Sequence, residues 1–171
     1  WGRVLEIGAE TRAEEICDVT FENCDIIHVM HPVLDCQNVD YDHVHDIIWR
    51  NINVEYDDVI PSPKIQNIDG EIYHNDNPDY FPELIRAEVI YHEEYSKGST
   101  RRGQNSNLTF ENIYLTGRQM PLLVFSGYDD KHQTKDVTIK NIYWNGKLVT
   151  ELNDDQLIKG KFVSNIILNN D

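Results

Sequence analysis

At 171 residues the chain is the size of one domain with a substantial core. Its formal charge of −15 argues against a nucleic-acid backbone as partner, because that binding is driven by Lys and Arg displacing counterions. No run approaches the ~18 apolar residues of a membrane span, so no membrane partner is expected either.

In chain order, a strand-like run at Val4 to Gly8 begins almost at once, which reads as a piece cut from a longer protein. The segment Asp18-Val-Thr-Phe-Glu-Asn23 follows, then a second run at Val33 to Gln37 and the segment Asp46-Ile-Ile-Trp-Arg-Asn51. From Val59 to Ser106 the pattern breaks into a long insertion holding Pro61, Pro63, Pro78 and Pro82, an acidic stretch at Asn75 to Asp79 and the tract Lys97 to Gly103. One strand-like run, Ile85 to Val89, lies inside it. Long excursions from a regular scaffold are where binding or capping is usually built. Regularity returns with Asn107-Leu-Thr-Phe-Glu-Asn112, the run Leu122 to Phe125, Asp136-Val-Thr-Ile-Lys-Asn141 and Asn165-Ile-Ile-Leu-Asn-Asn170.

The five Asp/Asn-to-Asn segments are versions of one repeat whose starts lie 28, 61, 29 and 29 residues apart. Apolar residues alternate with polar ones inside each, Val19 and Phe21 against Thr20 and Glu22, as in strands with one buried face. Short strands at a fixed period near 29 predict an all-β, right-handed, single-stranded parallel β-helix of about five coils with one long insertion, a single domain over residues 1–171. The closing Asn residues are expected in the left-handed region at turns, stacking Asn23, Asn51, Asn112, Asn141 and Asn170 into an internal ladder. An uncovered first coil would leave strand edges open, so a homodimer through that end is expected unless upstream residues cover it.

Alternation in the shorter runs turns Leu5, Ile7, Leu34, Cys36, Ile85, Ala87 and Val89 inward and Glu6, Asp35, Gln37, Arg86 and Glu88 outward. Adjacent strands about 4.8 Å apart would then line Glu6, Asp35 and Arg86 or Glu88 into one ionisable row. Paired carboxylates push their pKa values apart, leaving one acid and one base or nucleophile, as glycosidic cleavage requires. Glu6 and Asp35 are therefore the candidate catalytic pair, with Arg86, Glu88 and Gln37 binding substrate. The tract Phe125-Ser-Gly-Tyr-Asp-Asp130 with His132 offers a ring, Tyr128, for stacking on a sugar, and Asp129 and His132 for its hydroxyls.

Other residues carry less. Cys17, Cys24 and Cys36 fit no zinc spacing and read as small buried hydrophobes. His28, His31, His43 and His45 lack an evident carboxylate partner, and no metal site is expected. Glu55 with Asp57-Asp58 is an acidic cluster without a calcium-loop pattern, so no cofactor is required and calcium is the one ion admitted.

The opening Trp1-Gly-Arg-Val-Leu-Glu-Ile-Gly-Ala-Glu-Thr11, the Asp-Val-Thr-Phe-Glu-Asn repeats, Ser126-Gly-Tyr-Asp129 and Lys135-Asp-Val-Thr-Ile-Lys-Asn-Ile-Tyr-Trp-Asn-Gly-Lys147 resemble bacterial pectin-lyase-like proteins, most of all the C-terminal coils of polygalacturonase-related glycoside hydrolases. The resemblance implies a hydrolase acting on a pectin-like polysaccharide or oligosaccharide laid along one sheet, and secretion or a periplasmic location ahead of the cytoplasm. The Asn-Thr-Asp, Asp-Asp, Gly-His-Gly and Arg-Ile-Lys motifs of that family do not stand intact in their setting here, so the resemblance carries over no catalytic residue. It places the parent's aspartates on earlier coils, which would leave this fragment inactive alone. Two alternatives remain: a calcium-dependent polysaccharide lyase using Glu6, Asp35 and Arg86, and a non-catalytic protein that only binds or attaches to glycan.

Overall fold

The computed structural model describes residues 3–57, 65–66, 73–74, 81–96 and 98–170. Its elements are β1 (Leu5–Gly8), β2 (Glu15–Val29), β3 (Leu34–Asn38), β4 (His43–Tyr56), β5 (Ile65–Gln66), β6 (Tyr73–His74), β7 (Glu83–Val89), α1 (Glu93–Ser96), β8 (Gln104–Thr116), β9 (Leu122–Ser126), β10 (Thr134–Trp144), β11 (Lys147–Leu148), β12 (Leu157–Lys159) and β13 (Val163–Asn169). Asp58 and, within the long insertion, residues 59–64, 67–72, 75–80 and 97, including the stretch Asn75 to Asp79, lie outside the described residues.

Apart from β5 and β6, which pair antiparallel with each other, the strands divide between two sheets. Sheet 1 has the order β1-β3-β7-β9-β12, every pair parallel. Sheet 2 takes the long strands in the order β2-β4-β8-β10, extended in parallel by β13, with β11 folded back antiparallel on the end of β10 through Asn145 and Gly146. Both turn residues have positive φ, 48° and 78°, the geometry that makes Asn-Gly the preferred two-residue hairpin.

This corrects the expected single-stranded β-helix. The chain forms two open, mainly parallel sheets stacked face to face, and neither closes. The difference has a physical cause. Every repeat opens, and the first four also close, on a left-handed residue: Asp18, Asp46, Asn107, Asp136 and Asn165 have φ of 50–58°, as do Asn23, Asn51, Asn112 and Asn141. These positions are bends inside continuous strands, not turns between short ones, so Glu15–Val29 and its counterparts remain single long strands of one sheet.

The repeat nevertheless sets the register. Val19, Ile47, Leu108, Val137 and Ile166 pair in succession across sheet 2. Between the sheets the core is filled by Leu34, Cys36, Ile85, Ala87, Leu123 and Phe125 from sheet 1 and Val44, Ile47, Ile52, Leu108 and Ile113 from sheet 2, all fully buried. Aligned rings run through it: Phe21 stacks on Trp49 at 5.7 Å and Trp49 on Phe110 at 4.7 Å, while Phe110 meets Phe125 of sheet 1 edge-on at 6.4 Å. Trp49 Nε1 donates to the carbonyl of Leu5 at 3.1 Å, tying the sheets together.

Two polar chains run across the repeats. The closing asparagines form part of the expected ladder: Asn51 donates to Asn23, Asn112 to Asn51 and Asn141 to Asn112, at 3.4, 3.1 and 3.1 Å. It lies at the surface rather than inside, and Asn170 leaves it to donate to the Thr150 carbonyl. The second chain is fully buried where sheet 1 hands over to sheet 2. There Thr11 donates to Asn38 at 3.0 Å, Asn38 to Asn105 at 3.3 Å and Asn105 to Thr134 at 3.4 Å, while Asn105 also reaches the carbonyls of Cys36 and Glu88.

Cutting the buried chain strands several desolvated partners, whereas cutting the surface ladder exposes its partners to water. Asn105→Ala is therefore expected to lower the unfolding free energy by about 2–4 kcal/mol, and Asn112→Ala by about 1–2 kcal/mol, in urea titrations. Equal losses would show that the interior chain has no special weight.

Candidate functional site

Pairing across sheet 1 puts Glu6 beside Asp35 and Asp35 beside Arg86, and in the next row Gln37 beside Glu88 and Glu88 beside Ser126. The expected row is thus assembled on the face turned away from the core, but much of it is covered. Asp35 is fully buried, with one carboxylate oxygen paired to Arg3 and the other without a partner. Burial pushes its pKa up to about 6, against the opposing pull of Arg3, so this carboxyl keeps its proton well above the ordinary range.

Arg86 is not free to receive a ligand anion. Its Nε donates to Glu83 at 2.6 Å and its Nη1 to both oxygens of Glu88, at 3.0 and 3.1 Å. Burial works against its charge, and the two carboxylates outweigh burial, so its pKa is raised. Glu88 also accepts from Gln37 at 3.0 Å and from Ser126 at 3.4 Å. The outer face therefore carries a continuous network in which the Arg86 charge is compensated locally.

Beside this network lies an open cleft of about 580 Å³ lined by Arg3, Glu6, Gly8, Ala9, Glu10, Gln37, His92 and Tyr95. Its outer wall is the segment around α1, part of the insertion. That segment is fastened to the rest by Ser96, whose hydroxyl donates to the Val39 carbonyl at 2.7 Å, and by Arg12, which reaches the Tyr95 carbonyl at 2.9 Å and Asp40 at 3.1 Å. The rings of His92 and Tyr95 lie 4.6 Å apart. Close by in sequence, the Arg102 guanidinium sits 4.9 Å from the Tyr91 ring and 5.4 Å from the Tyr128 ring, linking the insertion to the turn after β9. Tyr91, Tyr95 and Tyr128 are 50%, 40% and 46% exposed.

In that turn Asp129 is used locally, accepting from the backbone of Lys131 and His132 and from His132 Nδ1 at 2.7 Å. Desolvation works against its charged form, and these bonds together outweigh it, so its pKa is lowered. Of the residues expected to act, Glu6 and Gln37 line the cleft, while Asp35, Arg86 and Glu88 stand beneath or beside it in ion pairs. Tyr128 offers an exposed ring, with Asp129 and His132 bonded to each other below it in sequence. Arg3, Glu10, His92 and Tyr95 were not singled out by sequence. The spacing of Tyr91 and Tyr95, one helical turn apart on an insertion, was the available signal.

Comparisons with protein-family models, curated proteins and solved structures found no match. The site must be read from its own chemistry.

Because burial favours the neutral carboxyl, Asp35 contributes its full stability below about pH 4, and that contribution is lost as the pH rises through about 6. Asp35→Asn fills the same space without ionising. Relative to the parent it is expected to gain about 2–3 kcal/mol of stability between about pH 4 and pH 7 in urea unfolding. Parallel stability curves for the two proteins would rule out this protonation.

Proposed function

We propose that the protein binds a neutral, hydroxyl-rich glycan chain along the outer face of sheet 1, without needing to cleave it. The observation that carries this reading is the open cleft in which an exposed tyrosine, Tyr95, shares a wall with the hydrogen-bonding side chains of Glu6, Gln37, Arg3 and His92. Sugar rings present an apolar face to an aromatic ring and hydroxyls to flanking polar groups. Exposed Tyr91 and Tyr128, both close to the Arg102 guanidinium, offer the same chemistry.

Charge supports a neutral chain over a uronate polymer. The protein carries a formal −15, and Arg86, the cation expected to hold a sugar carboxylate, is taken up by Glu83 and Glu88. The resemblance of the repeats to polygalacturonase-related hydrolases agrees with a carbohydrate ligand in general.

Hydrolysis is a second reading, favoured by one specific observation. Asp35 retains its proton to about pH 6 one strand away from Glu6, the unequal pairing of carboxyls that an acid-assisted cleavage uses. Against it stands the burial of Asp35 beneath Arg3, which keeps the acid from a bound chain.

Calorimetric titration with a panel of neutral and acidic oligosaccharides distinguishes these readings when run beside an assay for new reducing ends. Binding of a neutral oligosaccharide is expected, weakened about tenfold or more by Tyr95→Ala, with no new reducing ends. Absence of binding to every neutral member would overturn the proposal. New reducing ends that fall by about 100-fold in both Glu6→Gln and Asp35→Asn would replace it with hydrolysis.

A further inference from the structure

The outer face of sheet 2 holds a second group of chemically active side chains that the glycan cleft does not use. Where β2 and β4 run side by side, Glu15 pairs with His43 and Cys17 with His45, so four potential donors stand on one face of two adjacent strands. Ligand atoms of Glu15, Cys17 and His45 all lie within 4.8 Å of one another. From this arrangement we propose that Glu15, Cys17 and His45 form a binding site for a zinc-class divalent cation.

The donor set is a carboxylate oxygen, a cysteine sulfur and an imidazole nitrogen, a mixture that suits zinc and disfavours magnesium or calcium, which take oxygen alone. Donors around a tetrahedral zinc sit about 3.3–3.8 Å apart, given bonds of about 2.0–2.3 Å. Glu15 is exposed and long, so a change of rotamer closes the remaining gap. Three protein ligands leave a fourth position open to water.

A second feature, the support behind the ring, fits a ligating histidine. The Nδ1 of His45 is engaged by Asp46 at 2.5 Å, which leaves Nε2 turned toward Glu15 at 3.5 Å. Asp46 is itself held by the side-chain amide of Asn107 from the next repeat. A carboxylate behind the imidazole fixes its orientation and raises its basicity, the usual support of a metal-bound histidine. Consecutive residues of a flat strand face opposite ways. Here the left-handed Asp46, φ 55°, brings its carboxylate round to the ring of its neighbour. The sequence reading, which found no partner for His45 and took Cys17 for a buried hydrophobe, is corrected on both points, since Cys17 is only half-buried. His43 stands by, its ring 4.2 Å from that of His45 and its Nε2 bonded to Ser106 at 2.7 Å.

The test is titration of the chelator-treated full chain with Co²⁺ and Zn²⁺. One equivalent of Co²⁺ is expected to bring up a thiolate-to-cobalt charge-transfer band that Zn²⁺ quenches. Cys17→Ser is expected to abolish the band and Cys24→Ser to leave it intact. His45→Gln should weaken Zn²⁺ binding about tenfold or more, and Asp46→Asn, which keeps a residue suited to the left-handed bend, by about tenfold through loss of orientation alone. Circular dichroism confirms that each variant keeps its strands. Absence of the band in the parent chain, its survival in Cys17→Ser, or unchanged Zn²⁺ affinity in His45→Gln would each overturn the proposal.

Discussion

The structure depends on a line of buried amides and hydroxyls, Thr11, Asn38, Asn105 and Thr134, standing where the chain passes from one sheet to the other. A corner between two parallel sheets leaves backbone groups that no strand can satisfy, and in a dry interior each such group is costly. Asn105 answers this by donating to two carbonyls of sheet 1 while linking its neighbours in the line. Each passage of the chain thereby fixes the height of the next. The aromatic stack through Phe21, Trp49 and Phe110 and the aligned aliphatic rows share that register.

The candidate site inherits its form from the same corner. Asn38, the end of β3, belongs to the buried line, and the next residue, Val39, offers the carbonyl that receives Ser96 and Arg102 from the insertion. The wall carrying Tyr95 is thus held to the scaffold by hydrogen bonds to backbone carbonyls. This allows the outer face of sheet 1 to remain open beside it.

Much of this was legible in the sequence because parallel strands of equal repeat preserve register. The period near 29 aligned Leu5 with Leu34, and alternation correctly turned Glu6, Asp35 and Arg86 to one face. The division into two sheets was not legible. An Asn that closes a repeat reads as a turn, and only its backbone shows that the strand bends there and continues, as at Asn23 and Asn51. Outward facing also proved different from exposure. Arg3, which precedes the first strand, folds over Asp35, and no periodicity within strands reports a contact made by a residue before them. The joining of His45 to Asp46 escaped notice for a related reason, since period two assigns neighbours to opposite faces and a left-handed bend breaks the period.

The clamp of Glu83 and Glu88 on Arg86 has an effect that reaches beyond the face itself. A guanidinium whose charge is cancelled at contact distance projects almost no field into the solvent, so it does not offset the negative potential of the molecule as a whole. Approach to this face then selects by charge before any contact is made: polyanions are slowed at low ionic strength and hastened by added salt, while uncharged polymers arrive at a rate indifferent to it. Discrimination of that kind comes from association kinetics, at no expense to the shape of the cleft.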